Sequence, residues 1–121
     1  GTSSAAVYLT KPIILENNSK ALDIRLTANI RSTSEVEMYY RVSGTDNDTQ
    51  LDDLSWTAFN TDGSSDATVT PAEDDTTFKE YKYSDNDINE FTSFQLKIVM
   101  KGSNSSYPPV LRDMRGIALA V

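Results

Sequence analysis

Apolar and polar residues alternate with a period of two along much of this chain, which is the pattern of strands that bury one face and wet the other. Leu22, Ile24, Leu26, Ala28 and Ile30 interleave with Asp23, Arg25, Thr27, Asn29 and Arg31. Val36, Met38, Tyr40 and Val42 interleave with Glu35, Glu37, Tyr39 and Arg41, and Phe94, Leu96, Ile98 and Met100 with Gln95, Lys97 and Lys101. Each run predicts a half-buried strand. Only the short polar Ser32-Thr33-Ser34 separates the first two, which predicts that they pair as a hairpin.

The remaining strands are less regular. Residues 7–15 are rich in β-formers but interrupted by Pro12, which fits an edge strand or a strand that bends. Short pieces are expected at 56–59, 68–70 and 78–83. Pro108 and Pro109 cannot donate to a ladder, so a last strand begins near Val110 and runs to Val121. Its alternation changes phase between Arg112 and Gly116, which predicts a bulge at or near Gly116. Residues 61–77, dominated by Gly, Ser, Asp and Thr, form the longest connection. Helical periodicity is nearly absent. Seven or eight strands at this spacing predict an all-β fold, an antiparallel two-sheet β-sandwich that is jelly-roll-like in its eight-stranded form.

With 121 residues and neither a repeat nor an internal linker, residues 1–121 are expected to form one domain. Residues 1–5 read as a tag or linker remnant on a module excised from a larger polypeptide. No apolar run approaches the roughly 18 residues that span a bilayer, so membrane insertion is not expected.

Composition narrows the chemistry. The chain has no cysteine and no histidine. Thiolate sites, disulfides, histidine-based triads and most zinc, copper or haem ligation are thereby excluded. The net charge of −7 is unevenly placed. Segments 45–53, 62–75 and 84–90 hold 12 of the 18 acids and no base, leaving 6 acids against 11 bases elsewhere. Acidic loops on mildly basic strands would repel nucleic acid and anionic lipid.

Two kinds of candidate site remain. Asp46, Asp48 and Asp52 in one acidic loop, and Asp85 and Asp87 in another, are oxygen ligands of the kind calcium takes, although Asp and Asn are also ordinary turn residues. Tyr39, Trp56, Tyr81, Tyr83 and Tyr107 are the planar side chains that could stack on a sugar ring, against a competing role in core packing and cross-strand pairs. Carboxylates in polar loops lack the apolar surroundings that would raise a general acid, and no nucleophile motif is present. The expectation is a non-catalytic domain.

The stretch Glu90-Phe91-Thr92-Ser93-Phe94-Gln95-Leu96-Lys97-Ile98-Val99-Met100 is followed by Asn104-Ser105-Ser106, by Pro108-Pro109-Val110-Leu111-Arg112-Asp113-Met114-Arg115 and by Ile117-Ala118-Leu119-Ala120. Together with Tyr39-Tyr40-Arg41 and an acidic loop leading into Leu54-Ser55-Trp56, it resembles a domain of tailed-bacteriophage virion proteins, especially large baseplate, tail or fibre polypeptides of marine phages. The resemblance runs from about residue 8 and rests on strand and turn patterning. It implies a β-sandwich module in a virion, a spacer, oligomer contact or receptor-facing unit whose partners are other virion proteins or copies of itself. It supplies no catalytic residue. The alternative is a carbohydrate-binding module, secreted or at a cell surface, that recognises host surface glycans, a class that in some members also carries a structural calcium; no other cofactor is expected.

Overall fold

The computed structural model describes residues 4–44, 51–102 and 107–120. Alternation over 22–30 becomes the second half of a 17-residue strand, β2 (Ile13–Asn29). Before it lies β1 (Ser4–Leu9), and after it come β3 (Ser34–Ser43), β4 (Thr57–Ala58), β5 (Lys79–Asp85), β6 (Phe91–Gly102) and β7 (Val110–Ala120). Single 3-10 turns at Leu51–Asp53 and Phe59–Thr61 are the only helical pieces among the described residues. The protein is all-β and antiparallel throughout its strand pairs.

The seven strands form one hydrogen-bonded sheet rather than two separate ones, in the order β4-β3-β6-β2-β5, with β1 added on β6 and β7 on β2. β2 makes this continuity. Its start pairs with β6 at Ile13↔Phe94 and Ile14↔Ser93, the register then breaks before Ser19, and from Ser19 onward the strand lies between β5 and β7. One half of the sheet is therefore β4-β3-β6-β1 and the other is β5-β2-β7. Among the described residues no eighth strand forms; residues 68–70 are coil, and the nearby contact is a lone bridge between Arg31 and Ala72.

The halves share one core. Leu22, Ile24, Leu26 and Ala28 of β2, Met38 and Tyr40 of β3, Tyr83 of β5, and Phe94, Leu96 and Ile98 of β6 join one buried cluster. Phe59 lies between Tyr40 and Tyr83, with ring centroids 4.9 and 6.1 Å away. β3 and β5 are three places apart in the sheet, about 14 Å at the usual strand spacing, and Phe59, which arrives from the turn after β4, fills the space between their rings. Gly116 of β7 also sits against the core, where an added Cβ would lie 3.2 Å from Ile24 Cδ1.

Two expected local features differ. β2 and β3 do not pair, since β3 pairs with β6 from Ser34↔Gly102 to Ser43↔Ser93. The turn closed by Ser34 N–H on the Arg31 carbonyl carries the chain from one half to the other instead of back along the same edge. The bulge in β7 is at Arg112, skipped between Thr27↔Asp113 and Ala28↔Leu111, whereas Gly116 keeps regular register with Ile24. Gly116 is explained by crowding against the core, not by a bulge.

The long connection closes one side of the fold. Gly63 C=O accepts from Met38 N–H on the free edge of β3, and Asp66 N–H donates to the Lys82 carbonyl on the free edge of β5. On the other side β1 pairs only with β6 and β7 only with β2, which leaves two strand edges without a ladder partner among the described residues.

Candidate functional site

The five candidate aromatics go to three places. Tyr39 and Trp56 share the outer face of β3 and β6, where alternation puts Tyr39 and Arg41 opposite Lys97 and Gln95. Arg41 is buried, its Nε and Nη2 both donating to Gln95 Oε1 at 2.9 and 2.7 Å and its Nη1 to the Leu54 carbonyl at 3.2 Å. Its guanidinium lies 4.2 Å from the centre of the Trp56 ring, and the Lys97 ammonium lies 5.1 Å from that ring and 4.7 Å from Tyr39. These aromatic faces already hold cations. Tyr39 also donates its hydroxyl to Glu37 Oε1 at 2.7 Å, and that bond to a carboxylate, with burial and nearby acids, holds its pKa above the ordinary tyrosine value.

Tyr81 and Tyr83 are core residues, 7% and 1% exposed, and so do not belong to an exposed stacking platform. The signal was in the sequence: they alternate with Glu80 and Lys82, which take the wet face of β5. Their rings instead reach a pocket of about 320 Å³ between β3, β5 and the connection after Ser64. Tyr107 is exposed and lies under the Arg31 guanidinium at 4.3 Å. Its carbonyl accepts from Ser34 Oγ, and both Arg31 and Ser34 line that same pocket. Sequence reasoning missed Arg41 and Gln95, because a charged residue on a strand's polar face reads as solvated.

The described acidic candidates, Asp52, Asp85 and Asp87, are not gathered into a metal centre. Asp46 and Asp48 lie outside the described residues. Asp85 accepts from the Tyr40 hydroxyl and from the Asp87 amide, so its oxygens are committed to fold and turn, and Asp52 lies 3.6 Å from Arg41. Among the described residues no three acids are grouped to hold an ion. An acid the sequence did not single out, Asp66, is better positioned as a structural hub: its carboxylate accepts from Asn60 Nδ2, from the Ser84 amide and from the Ser84 hydroxyl. Burial pushes its pKa up, but those bonds and the nearby Lys82 charge outweigh burial and hold it below the usual carboxylate value.

The surface is apolar mainly where the fold is open. Nine large hydrophobic residues are exposed among the described ones, and eight of them, Val7, Tyr8, Leu9, Ile13, Ile14, Val110, Ile117 and Leu119, lie on β1, the start of β2, and β7. By contrast the outer face of β2 and β5 is laced with charge, Arg25 reaching Asp23 at 2.9 Å and Glu80 at 3.1 Å. Between the open edges a cleft of about 430 Å³ runs from Tyr8 and Met114 down to Leu26 and Ile98. No helix among the described residues is long and apolar enough to cross a membrane. No family model matches the chain, and neither a curated protein nor a solved structure matches it.

Proposed function

We propose that this domain is a non-enzymatic structural module, of the kind that tail, baseplate or fibre proteins of a phage virion use, and that it joins copies of itself through the open edges of β1 and β7. The observation that carries this reading is the coincidence of two features. The strands with one open edge on this side, β1 and β7, also hold most of the exposed apolar side chains. An unpaired strand presents a row of N–H and C=O groups to another chain, and natural proteins normally guard such an edge with lysine, proline or a cover. Here the exposed charges of Asp113 and Arg115 stop short of Ile117 and Leu119, which stand half exposed at the end of β7. The alternative of an exposed aromatic platform for glycans loses support, because Tyr39 and Trp56 are taken up by Arg41 and Lys97.

Sedimentation velocity over a concentration series tests the proposal. The wild-type chain is expected to associate as concentration rises, and the double change Ile117→Lys and Leu119→Lys to remain monomeric with an unchanged melting temperature, since both side chains are half exposed. A wild-type chain that stays monomeric at about 0.5 mM, where even a weak contact of Kd about 1 mM populates dimer, would overturn it.

A further inference from the structure

The pocket between β3 and β5 combines apolar walls with unspent hydroxyls. Ile30, Val36, Val69 and Pro71 supply the aliphatic lining, and the rings of Tyr81 and Tyr83 form a buried aromatic wall. Neither tyrosine hydroxyl has a hydrogen-bond partner among the described residues. Yet no fully occluded side-chain oxygen or nitrogen there lacks one. Both hydroxyls must therefore reach free space, and the pocket is the free space these two rings line.

The serines around the mouth complement them. Ser34 Oγ donates to the Tyr107 carbonyl at 2.7 Å, Ser64 Oγ to Asp62 Oδ1 at 2.6 Å, and Ser65 Oγ to the Ala67 carbonyl at 2.7 Å. Their protons are committed within the protein, so toward the pocket they offer lone pairs. The tyrosines keep their protons free to donate. One positive and one negative side chain, Arg31 and Glu35, complete the rim and cancel in charge.

From this arrangement we propose that the pocket binds one ring of a neutral saccharide. A sugar ring has apolar C–H faces that pack on aliphatic and aromatic walls, and hydroxyls that both donate and accept. A volume of about 320 Å³ suits a single ring and is at the small end of ligand sites. A charged ligand would meet no net opposite charge, and a purely apolar one would leave two buried hydroxyls unsatisfied. The site is independent of the β1 and β7 edges, so it stands or falls apart from the self-association proposed above.

Titration of the labelled chain with glucose, galactose, mannose and N-acetylglucosamine, followed by amide NMR shifts, tests the proposal. At least one sugar is expected to give saturable shifts centred on Ser65, Thr68 and Val69, with a Kd of about 1 mM. Tyr81→Phe together with Tyr83→Phe should weaken binding about tenfold or more while leaving the melting temperature unchanged, because no protein hydrogen bond is lost. Thr68→Trp, a change at an exposed position that fills the mouth, should abolish it even if the tyrosine variants fold poorly. The proposal is overturned if none of the four sugars saturates by about 100 mM. It is equally overturned if the shifts centre on Trp56 and Tyr39, or if Thr68→Trp binds like the wild type.

Discussion

The Tyr40 hydroxyl donates to Asp85 Oδ2 at 2.7 Å, a bond from the middle of β3 to the last residue of β5, strands that are three places apart in the sheet. It ties the two halves together directly, beside the Tyr40–Phe59–Tyr83 ring contacts. Burial, followed by this bond to a carboxylate, raises the Tyr40 pKa far above its ordinary value, so the hydroxyl keeps its proton at any pH the fold meets. Tyr40→Phe preserves the ring and removes only the bond. It is expected to cost about 1.5–3 kcal/mol, the range for hydrogen bonds to charged groups, read as a shifted urea midpoint at unchanged slope.

Arg41 makes a sharper contrast. Gln95→Met would leave a buried guanidinium with the Leu54 carbonyl as its remaining close acceptor and would also remove the bond from Gln95 Nε2 to the Thr10 carbonyl, and is expected to cost about 2–4 kcal/mol. Asp52→Asn removes the formal counter-ion, but that carboxylate is 86% exposed and 3.6 Å away. Its loss should cost less than about 0.5 kcal/mol. Chemical denaturation of both variants compares them, and an Asp52→Asn cost as large as that of Gln95→Met would overturn the assignment of the charge to Gln95.

The turn after β4 stores backbone strain. Asn60 and Thr61 adopt φ of 53° and 67°, and Gly63 adopts 87°. Asn60 is suited to this conformation and its amide is held by the Ser64 carbonyl and Asp66. Thr61 is β-branched and strained there, so Thr61→Asn should stabilise by about 0.5–1 kcal/mol. Gly63→Ala should have the opposite sign, costing more than about 2 kcal/mol, because the new Cβ would lie 2.8 Å from Glu37 Cβ at an unfavourable φ. Thermal melts settle both signs.

Asp66 predicts an acid limb. Its folded pKa lies below the unfolded value of 3.8, so the unfolded chain binds the proton more readily. The stability it contributes is present above that unfolded value and is lost as pH falls through the folded pKa. Asp62, held low by the hydroxyl and amide of Ser64, and Asp74, held low by Thr77 and Thr76, act in the same direction. Melting temperature should therefore fall below about pH 4, and Asp66→Asn should flatten that fall while lowering the plateau at neutral pH. A limb unchanged in Asp66→Asn would assign it to other acids.

Alternation made β2, β3 and β6 legible in the sequence, because a period of two states both the strand and the face it buries. It does not state the partner. The pairing of Val36 with Met100 spans about half the chain, and nothing local at Ser32-Thr33-Ser34 distinguishes a hairpin from a crossing between halves. The same limit applied to the site. Tyr81 and Tyr83 share a face, and their alternation with Glu80 and Lys82 marks it as the core face, but the ring that packs on Tyr83, Phe59, arrives from another segment. Arg41 and Gln95 are 54 residues apart and become partners only through the β3–β6 register.

β2 is bonded to β6 at its start and to β5 and β7 through its second half. A strand owned by both halves gives neither an independent free energy of opening. Backbone amides of Leu22 to Ala28 should exchange with solvent only when the whole domain unfolds, at one common free energy. The pairing of Ser4 with Gly102 must also close nearly the full length of the chain before it contributes anything. Folding should therefore be slow for a domain of this size, in the millisecond-to-second range of sheets built from distant segments, and all-or-none once it occurs.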